Sequence, residues 1–329
     1  MVTFRLARPE EKDAIIAFMD MHWGSKHPIL HHPDYFAFYF VGKKQLHFAL
    51  AVEDEEICAV CGYTPCNESG EDIWVSLWQA KKGMNGVGLE LMSKMLQLTG
   101  AARMSCNNIR EKTRPLYHFI GYETGELHQY YRLADRDGYV LAEPDGTPMP
   151  AVDPTVQLKE ITDFAELERH WAVPQCCVPK KDLWYLRRRY AEFPGYRGQY
   201  HFYGLRREGK ITALLVVRDN PVEDVCVLRI VDWLGTDEDL AHIGGTVDAL
   251  LTRYHAEYAD FYCAGVPDEV LRAAGFVLRQ RDGKAVIPNY LNPPLHANTD
   301  YFYFTTQSEG FRMFRADGDQ DRPNLPEID

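Results

Sequence analysis

The stretch that most constrains this chain is residues 73–99, IWVSLWQAKKGMNGVGLELMSKMLQLT. It opens with apolar residues at every second position, Ile73, Val75 and Leu77, which is the period of a strand. It closes with Val87, Leu91, Met92, Met95 and Leu96 on one face of a helix. Between them runs a glycine loop, GMNGVG, from Gly83 to Gly88. A strand, a glycine loop and a helix N-terminus make an anion site. Unpaired N–H groups and the helix dipole point at a phosphate, and glycines allow close approach. The same residues also suit a tight turn that needs small side chains for packing, and short glycine motifs recur by chance. The rest of the chain has to decide between the two.

At 329 residues, 46% hydrophobic and 26% charged, the chain has enough apolar sequence for one large domain or two ordinary ones. Its formal net charge of -12 argues against nucleic acid or an anionic membrane as a partner, so an anionic ligand needs a local site. The opening Met1-Val2-Thr3-Phe4-Arg5 leads into a charged amphipathic segment without the apolar core of an export signal. No apolar run reaches the length of a membrane span. The eight cysteines are dispersed, and buried free thiols are expected. Cys58-x-x-Cys61 has no second pair to complete a zinc site. The expectation is a soluble cytoplasmic protein, without a metal and with no oligomeric state indicated.

In chain order, Thr3–Arg8 reads as a strand, and Pro9-Glu10-Glu11 opens a helix. Residues 21–39 are dense in aromatics and histidine, and read as an irregular connector in which Trp23, His27, His31 and His32 form a pocket wall or pack on the surface. A hairpin over 46–64 turns at Asp54-Glu55-Glu56. After the opening strand and helix come a strand over Ala102–Cys106, a short helix over Glu111–Phe119 ended by Gly121, and a strand over Tyr122–Leu133.

This element order, the Gly83–Gly88 loop, and the segment Tyr117-His118-Phe119-Ile120-Gly121-Tyr122 together resemble the GNAT acyltransferases. That family marks its cofactor loop [RQ]-x-x-G-x-[GA] and its last helix with a Tyr-x-x-x-Gly-Phe-type segment. Gly83 stands where the family has Arg or Gln, with Lys81 and Lys82 nearby.

A tract of turn formers over 135–155 then reads as a boundary, and the same order of elements repeats from Val156. The expected fold class is α/β (α+β): two tandem GNAT-like domains, each a mixed, mostly antiparallel sheet flanked by helices. The expected bounds are 1–135 for a first, acyl-CoA-binding domain, 136–155 for a linker, 156–310 for a degenerate second domain and 311–329 for a tail. The second copy lacks the G-x-G spacing after His242 and carries Leu271 where Tyr117 would stand. A closing pair of strands is expected over 285–287 and 301–305. The tail reads as solvated by default, or as a strap that offers Asp319, Asp321 and Arg322 to a hydroxyl-rich acceptor.

The resemblance implies acyl transfer from acetyl-CoA, or another acyl-CoA, to a small-molecule amine by direct attack in a ternary complex. It implies that Leu77 and Trp78 hold the pantetheine arm and that Gly83, Met84, Asn85, Gly86, Val87 and Gly88 cradle the pyrophosphate. The asparagine that the family often places before its last helix is Asn107 or Asn108, with Asn108 taken as the cofactor-binding candidate, although the distance to Tyr117 is longer than usual. Tyr117 is the implied general acid. Glu71, with Asp72, is a candidate base at the strand entrance, and His27 is the alternative. Trp23, His27, Asp319, Asp321 and Arg322 are the acceptor candidates. The ending and the Trp23–His32 segment resemble tandem GNAT-like proteins of bacterial surface-polysaccharide synthesis, which points to a nucleotide-linked amino sugar as acceptor. Two other readings remain open: a FemABX-type aminoacyl transferase, which needs a basic RNA-binding face, and a ligand-binding module without catalysis.

Overall fold

The computed structural model describes residues 1–84 and 86–324. The first half runs β1 (Thr3–Leu6), α1 (Lys12–Trp23), α2 (Pro28–His31), α3 (Pro33–Phe40), β2 (Phe48–Glu53) and β3 (Glu56–Pro65). It continues with β4 (Asp72–Ala80), α4 (Val87–Thr99), β5 (Arg103–Ile109), α5 (Arg114–Phe119) and β6 (Glu123–Leu133). The second half runs β7 (Lys159–Ile161), α6 (Phe164–His170), α7 (Leu183–Leu186), β8 (Tyr200–Arg207), β9 (Lys210–Val222) and β10 (Val225–Leu234). Then come α8 (Asp237–Leu240), α9 (Gly244–Arg253), β11 (Ala256–Ala264), α10 (Asp268–Ala273), β12 (Val277–Leu278), β13 (Tyr301–Thr305) and β14 (Met313–Phe314).

Local sequence explains many of these elements. Asp54 and Glu55 both take positive φ (49° and 63°), the backbone that a two-residue hairpin turn demands, and they reverse the chain between β2 and β3. The stretch expected to be an irregular connector contains two short helices instead. Pro28 and Pro33 open them, because a proline suits a first helical turn whose N–H has no partner. Tyr35, Phe36, Tyr39 and Phe40 of α3 are core residues, and Trp23 packs against the same core. Leu91, Met92 and Met95 of α4 pack into a cluster with Val75 of β4 and Tyr117 of α5. Six of the eight cysteines are buried free thiols.

The two halves share one fourteen-stranded sheet, ordered β1-β2-β3-β4-β5-β13-β6-β11-β10-β9-β8-β7, with β12 on β6 and β14 on β11. Two of its joints are parallel, β4 with β5 and β10 with β11. The expected closing pair is not a pair. β13, late in the chain, inserts between β5 and β6 of the first half, and residues 285–287 contribute only a bridge from Val286 to Glu143. β6 spans both halves: Glu123–Leu127 pairs with β13, and His128–Leu133 pairs with β11. Each half is thus completed by a strand from the other.

The stretch over 311–324 is not a solvated tail. Phe311, Met313, Phe314 and Ala316 are buried, and each large apolar side chain taken from water contributes about 1.5–3 kcal/mol. Its carboxylates are matched by cations. Lys181, itself buried, lies 2.8 Å from Asp232 and 2.6 Å from Asp317. Asn107 of β5 donates to the carbonyls of Phe314 and Asp317, and Arg189 donates to the carbonyl of Ala316. Among the described residues no helix is long and apolar enough to cross a membrane.

Candidate active site

β4 pairs with β5 only through Asp72, Ile73 and Trp74, opposite Arg103, Met104 and Ser105. Beyond Trp74 the strand keeps β3 on one side and, among the described residues, has no strand on the other. Against β3, the step from Cys61 to Tyr63 is matched by the longer step from Val75 to Trp78, so one extra residue bulges out at Ser76–Leu77. A bulge re-aims side chains and interrupts the ladder. Val75 and Trp78 accordingly both face the core under α4, while Leu77 packs into the core on the other face. The result is an open strand edge with a kink in it.

The glycine loop lies at the end of this edge, and its glycines do different work. Gly83 and Gly86 take φ of 89° and 85°, and an added Cβ at either would meet nothing within 4 Å. Gly86 is also the N-cap of α4 and offers no side-chain cap, so among the described residues the first-turn N–H groups of this thirteen-residue helix have no capping side chain. Gly88 is a packing residue: an added Cβ would lie 2.9 Å from that of Ala80, and its carbonyl accepts from Trp78 Nε1 at 3.0 Å. Met84 and Val87 anchor the loop by packing on the core. Lys81 pairs with Glu56 at 3.1 Å. Asn85 lies outside the described residues.

Tyr117 spans the gap that β4 leaves. Its ring centroid is 4.5 Å from Phe304 of β13 and 6.0 Å from Trp78 of β4. Burial pushes the hydroxyl pKa well above its ordinary value, and the neighbouring Cys106 and Cys61 add to the rise, so the group stays protonated at neutral pH. Phe304 escaped the sequence reading because it arrives from the second half.

On the opposite face, the segment 314–321 crosses the same opening. Asp319 accepts from Ser76 at the bulge (2.8 Å), and Asn108 donates to Gln320 (3.2 Å). Arg322 pairs with Asp319 at 3.4 Å, and the two charges act on His27. Burial, then Arg322, lowers the His27 pKa to about 4, which keeps the ring neutral. Its Nδ1 is buried without a hydrogen-bond partner, and the ring meets the Trp23 indole edge-on at 5.6 Å. Trp23, His27, Asp319 and Arg322 therefore gather at the bulge.

Two expected residues do not join them. Glu71 lies at the closed end of β4, seven residues before Trp78, or roughly 20 Å of extended strand. Its carboxylate is held by Arg103 (2.6 Å) and Lys180 (3.5 Å), which lower its pKa. Asp321 is fully buried and bound by Arg218 (2.7 Å) and by the Tyr200 hydroxyl (2.8 Å), because a buried carboxylate needs its counter-charge. Asn107, one of the two candidates for the family asparagine, is engaged in fastening the strap.

Solved structures of similar fold are found across most of the chain. A GCN5-related N-acetyltransferase from Anabaena variabilis is 10% identical, with 93% of this chain and 72% of that chain covered and a TM-score of 0.53. One from Kribbella flavida is also 10% identical, covering 93% and 70%, with a TM-score of 0.51. A probable N-acyltransferase from Enterococcus faecalis V583 is 12% identical, covering 85% and 70%, with a TM-score of 0.50. The chain has the GNAT fold. Within that fold, the open edge, the loop and Tyr117 belong to the first GNAT-like half, and the strap that covers them comes from beyond the second. No family model and no curated protein match the sequence.

Proposed function

We propose that this chain is an acyl-CoA-dependent N-acyltransferase, in the simplest case an acetyltransferase, that acts on a small-molecule amine. The observation that carries the reading is the open, bulged edge of β4, which runs from Ser76 to the uncapped start of α4 with Tyr117 across the gap. An acyl-CoA supplies an activated thioester at the end of a long arm that carries a pyrophosphate. The residues present fit such a molecule. The backbone around Leu77 and Trp78 would hold the arm, and the turn of Gly83, Met84, Gly86 and Val87 would meet its phosphates.

In this reading Tyr117 would give up a proton on the α4 side of the sheet, and the neutral His27 would take one on the strap side. We prefer His27 to Glu71 as base, because His27 has an unpartnered buried nitrogen and Glu71 is spent on two cations. A nucleotide-linked amino sugar of surface-glycan synthesis is the acceptor we place first. Trp23 offers an indole ring and Asp319 a carboxylate, the groups that receive a sugar's apolar face and its hydroxyls.

Calorimetry with acetyl-CoA tests the reading. Wild type binds, and Gly86→Glu does not, since it strains a positive φ and sets a carboxylate against the phosphates. Failure of wild type to bind acetyl-CoA removes the proposal. A turnover screen with UDP- and dTDP-linked amino sugars then tests the acceptor.

A further inference from the structure

We infer a second ligand site, for a small carboxylate, in the second half of the molecule. A cavity of about 250 Å³ lies on the face of β9 and β10 that receives the end of the chain. Its wall includes Arg218, Arg229, Arg315, Asn289 and Tyr196. Of three buried guanidiniums there, Arg218 and Arg229 pair with the buried carboxylates Asp321 and Asp260, and Arg315 has no ion pair among the described residues. The other charged groups of the wall are engaged elsewhere: Arg322 with Asp319 at 3.4 Å, and Asp219 with His201 at 2.9 Å.

Arg315 is held by neutral groups instead. Its Nε donates to Asn289 Oδ1 at 3.4 Å and its Nη2 to the Tyr301 hydroxyl at 3.1 Å, while its guanidinium lies 4.5 Å over the Tyr301 ring. Nη1 is buried and has no partner. Among the described residues no carboxylate forms an ion pair with Arg315. A guanidinium 6% exposed and without an anion is costly, unless something binds there. Arg229 is held from below by Asp260 and by the Asn289 carbonyl, and Arg218 stacks on Tyr196 at 4.3 Å, so the cavity floor is fixed before any ligand arrives. A single guanidinium without an ion pair is offset by one negative charge, which favours a small monocarboxylate over the more highly charged phosphate. This site does not depend on acyl transfer.

The test is calorimetry and thermal unfolding of the full chain with acetate, formate and inorganic phosphate. Saturable binding of acetate or formate with a rise in Tm is expected, and phosphate binds more weakly. Arg315→Met weakens carboxylate binding by roughly thirty-fold or more. Without carboxylate, Arg315→Met melts at or above wild type, since an unpaired buried charge is gone; a purely structural arginine predicts the reverse. Arg315→Lys, which keeps the charge and loses the fork, is the second variant and binds more weakly than wild type. No saturable carboxylate binding to wild type, tighter binding of phosphate, or undiminished binding in both variants overturns the inference. Because the readouts are binding and melting of small anions, they are independent of whether acetyl-CoA binds.

Discussion

The two parallel joints of the sheet are built alike and finished differently. β4 and β5 part after Trp74, and the edge beyond is left open past a bulge. β10 and β11 also part, and β10 also bulges, at Val231. There the chain fills its own gap: β14 pairs with Cys263 and Ala264 of β11, and the Ala316 N–H takes the Val231 carbonyl at 3.3 Å. The helices that follow differ in the same way. Gly83 and Gly86 face open space, whereas an added Cβ at Gly244 would lie 2.7 Å from the Ala274 carbonyl, and one at Gly245 would lie 2.8 Å from Pro154 Cα. Glycine before a helix thus means an exposed backbone in one half and a covered one in the other. What separates a binding loop from a packed turn is what lies against it.

The largest effect that sharpens this contrast is at the two matched positions of α5 and α10. If the first joint is the working one, Tyr117→Phe lowers turnover by about a hundred- to ten-thousand-fold with acetyl-CoA affinity near wild type. Steady-state kinetics beside calorimetry reads both, and unchanged turnover removes Tyr117 as the acid. Its counterpart Leu271 is a fully buried core residue. Leu271→Ala is expected to cost about 2–5 kcal/mol in chemical denaturation, with acetyl-CoA affinity per folded molecule unaltered. A loss of affinity there would break the comparison.

Next in size are the glycines. Gly244→Ala, which must push the backbone of a neighbouring helix, costs about 1–3 kcal/mol. Gly86→Ala meets no atom and pays only for its positive φ, about 1–2 kcal/mol. Denaturation midpoints that rank the two in the opposite order would mean that the α4 loop is the more tightly packed.

Much of this was legible in the sequence, for reasons that also set the limit. Residues 73–99 announce strand, loop and helix because alternation and helical spacing are local, and the doubled element order follows from the same periodicities. Where a strand inserts is not local. Tyr301–Thr305 alternates alike beside β5 or beside any neighbour in its own half, so the crossing of β13 left no mark. The strap misled for a related reason. Asp317, Asp319 and Asp321 resemble a solvated terminus until Lys181, Ser76 and Arg218, each more than a hundred residues away in sequence, are seen to receive them. The bulge at Ser76–Leu77 was equally silent, since it exists only in register with β3.

The smallest effect concerns how firmly the strap is closed over both joints. Lys181 is one cation shared by two buried carboxylates, Asp232 and Asp317, and the Tyr185 hydroxyl also faces Asp317 at 3.4 Å. Burial, chiefly, with Asp232 adding to it and Lys181 opposing it, raises the Asp317 pKa from 3.8 to about 6. The folded state therefore holds this proton more tightly than the unfolded chain does. The stabilisation is complete below about pH 4 and is lost as pH rises through about 6. In Asp317→Asn the amide oxygen still accepts from the Phe314 N–H, which Asp317 does at 2.8 Å, but no proton can leave. Melting curves from pH 4 to 7 should show the difference between wild type and Asp317→Asn shrinking or changing sign as pH rises, because only wild type loses stability from this group. A constant difference across that range would place the titration elsewhere and leave the strap closed by the same forces at every pH.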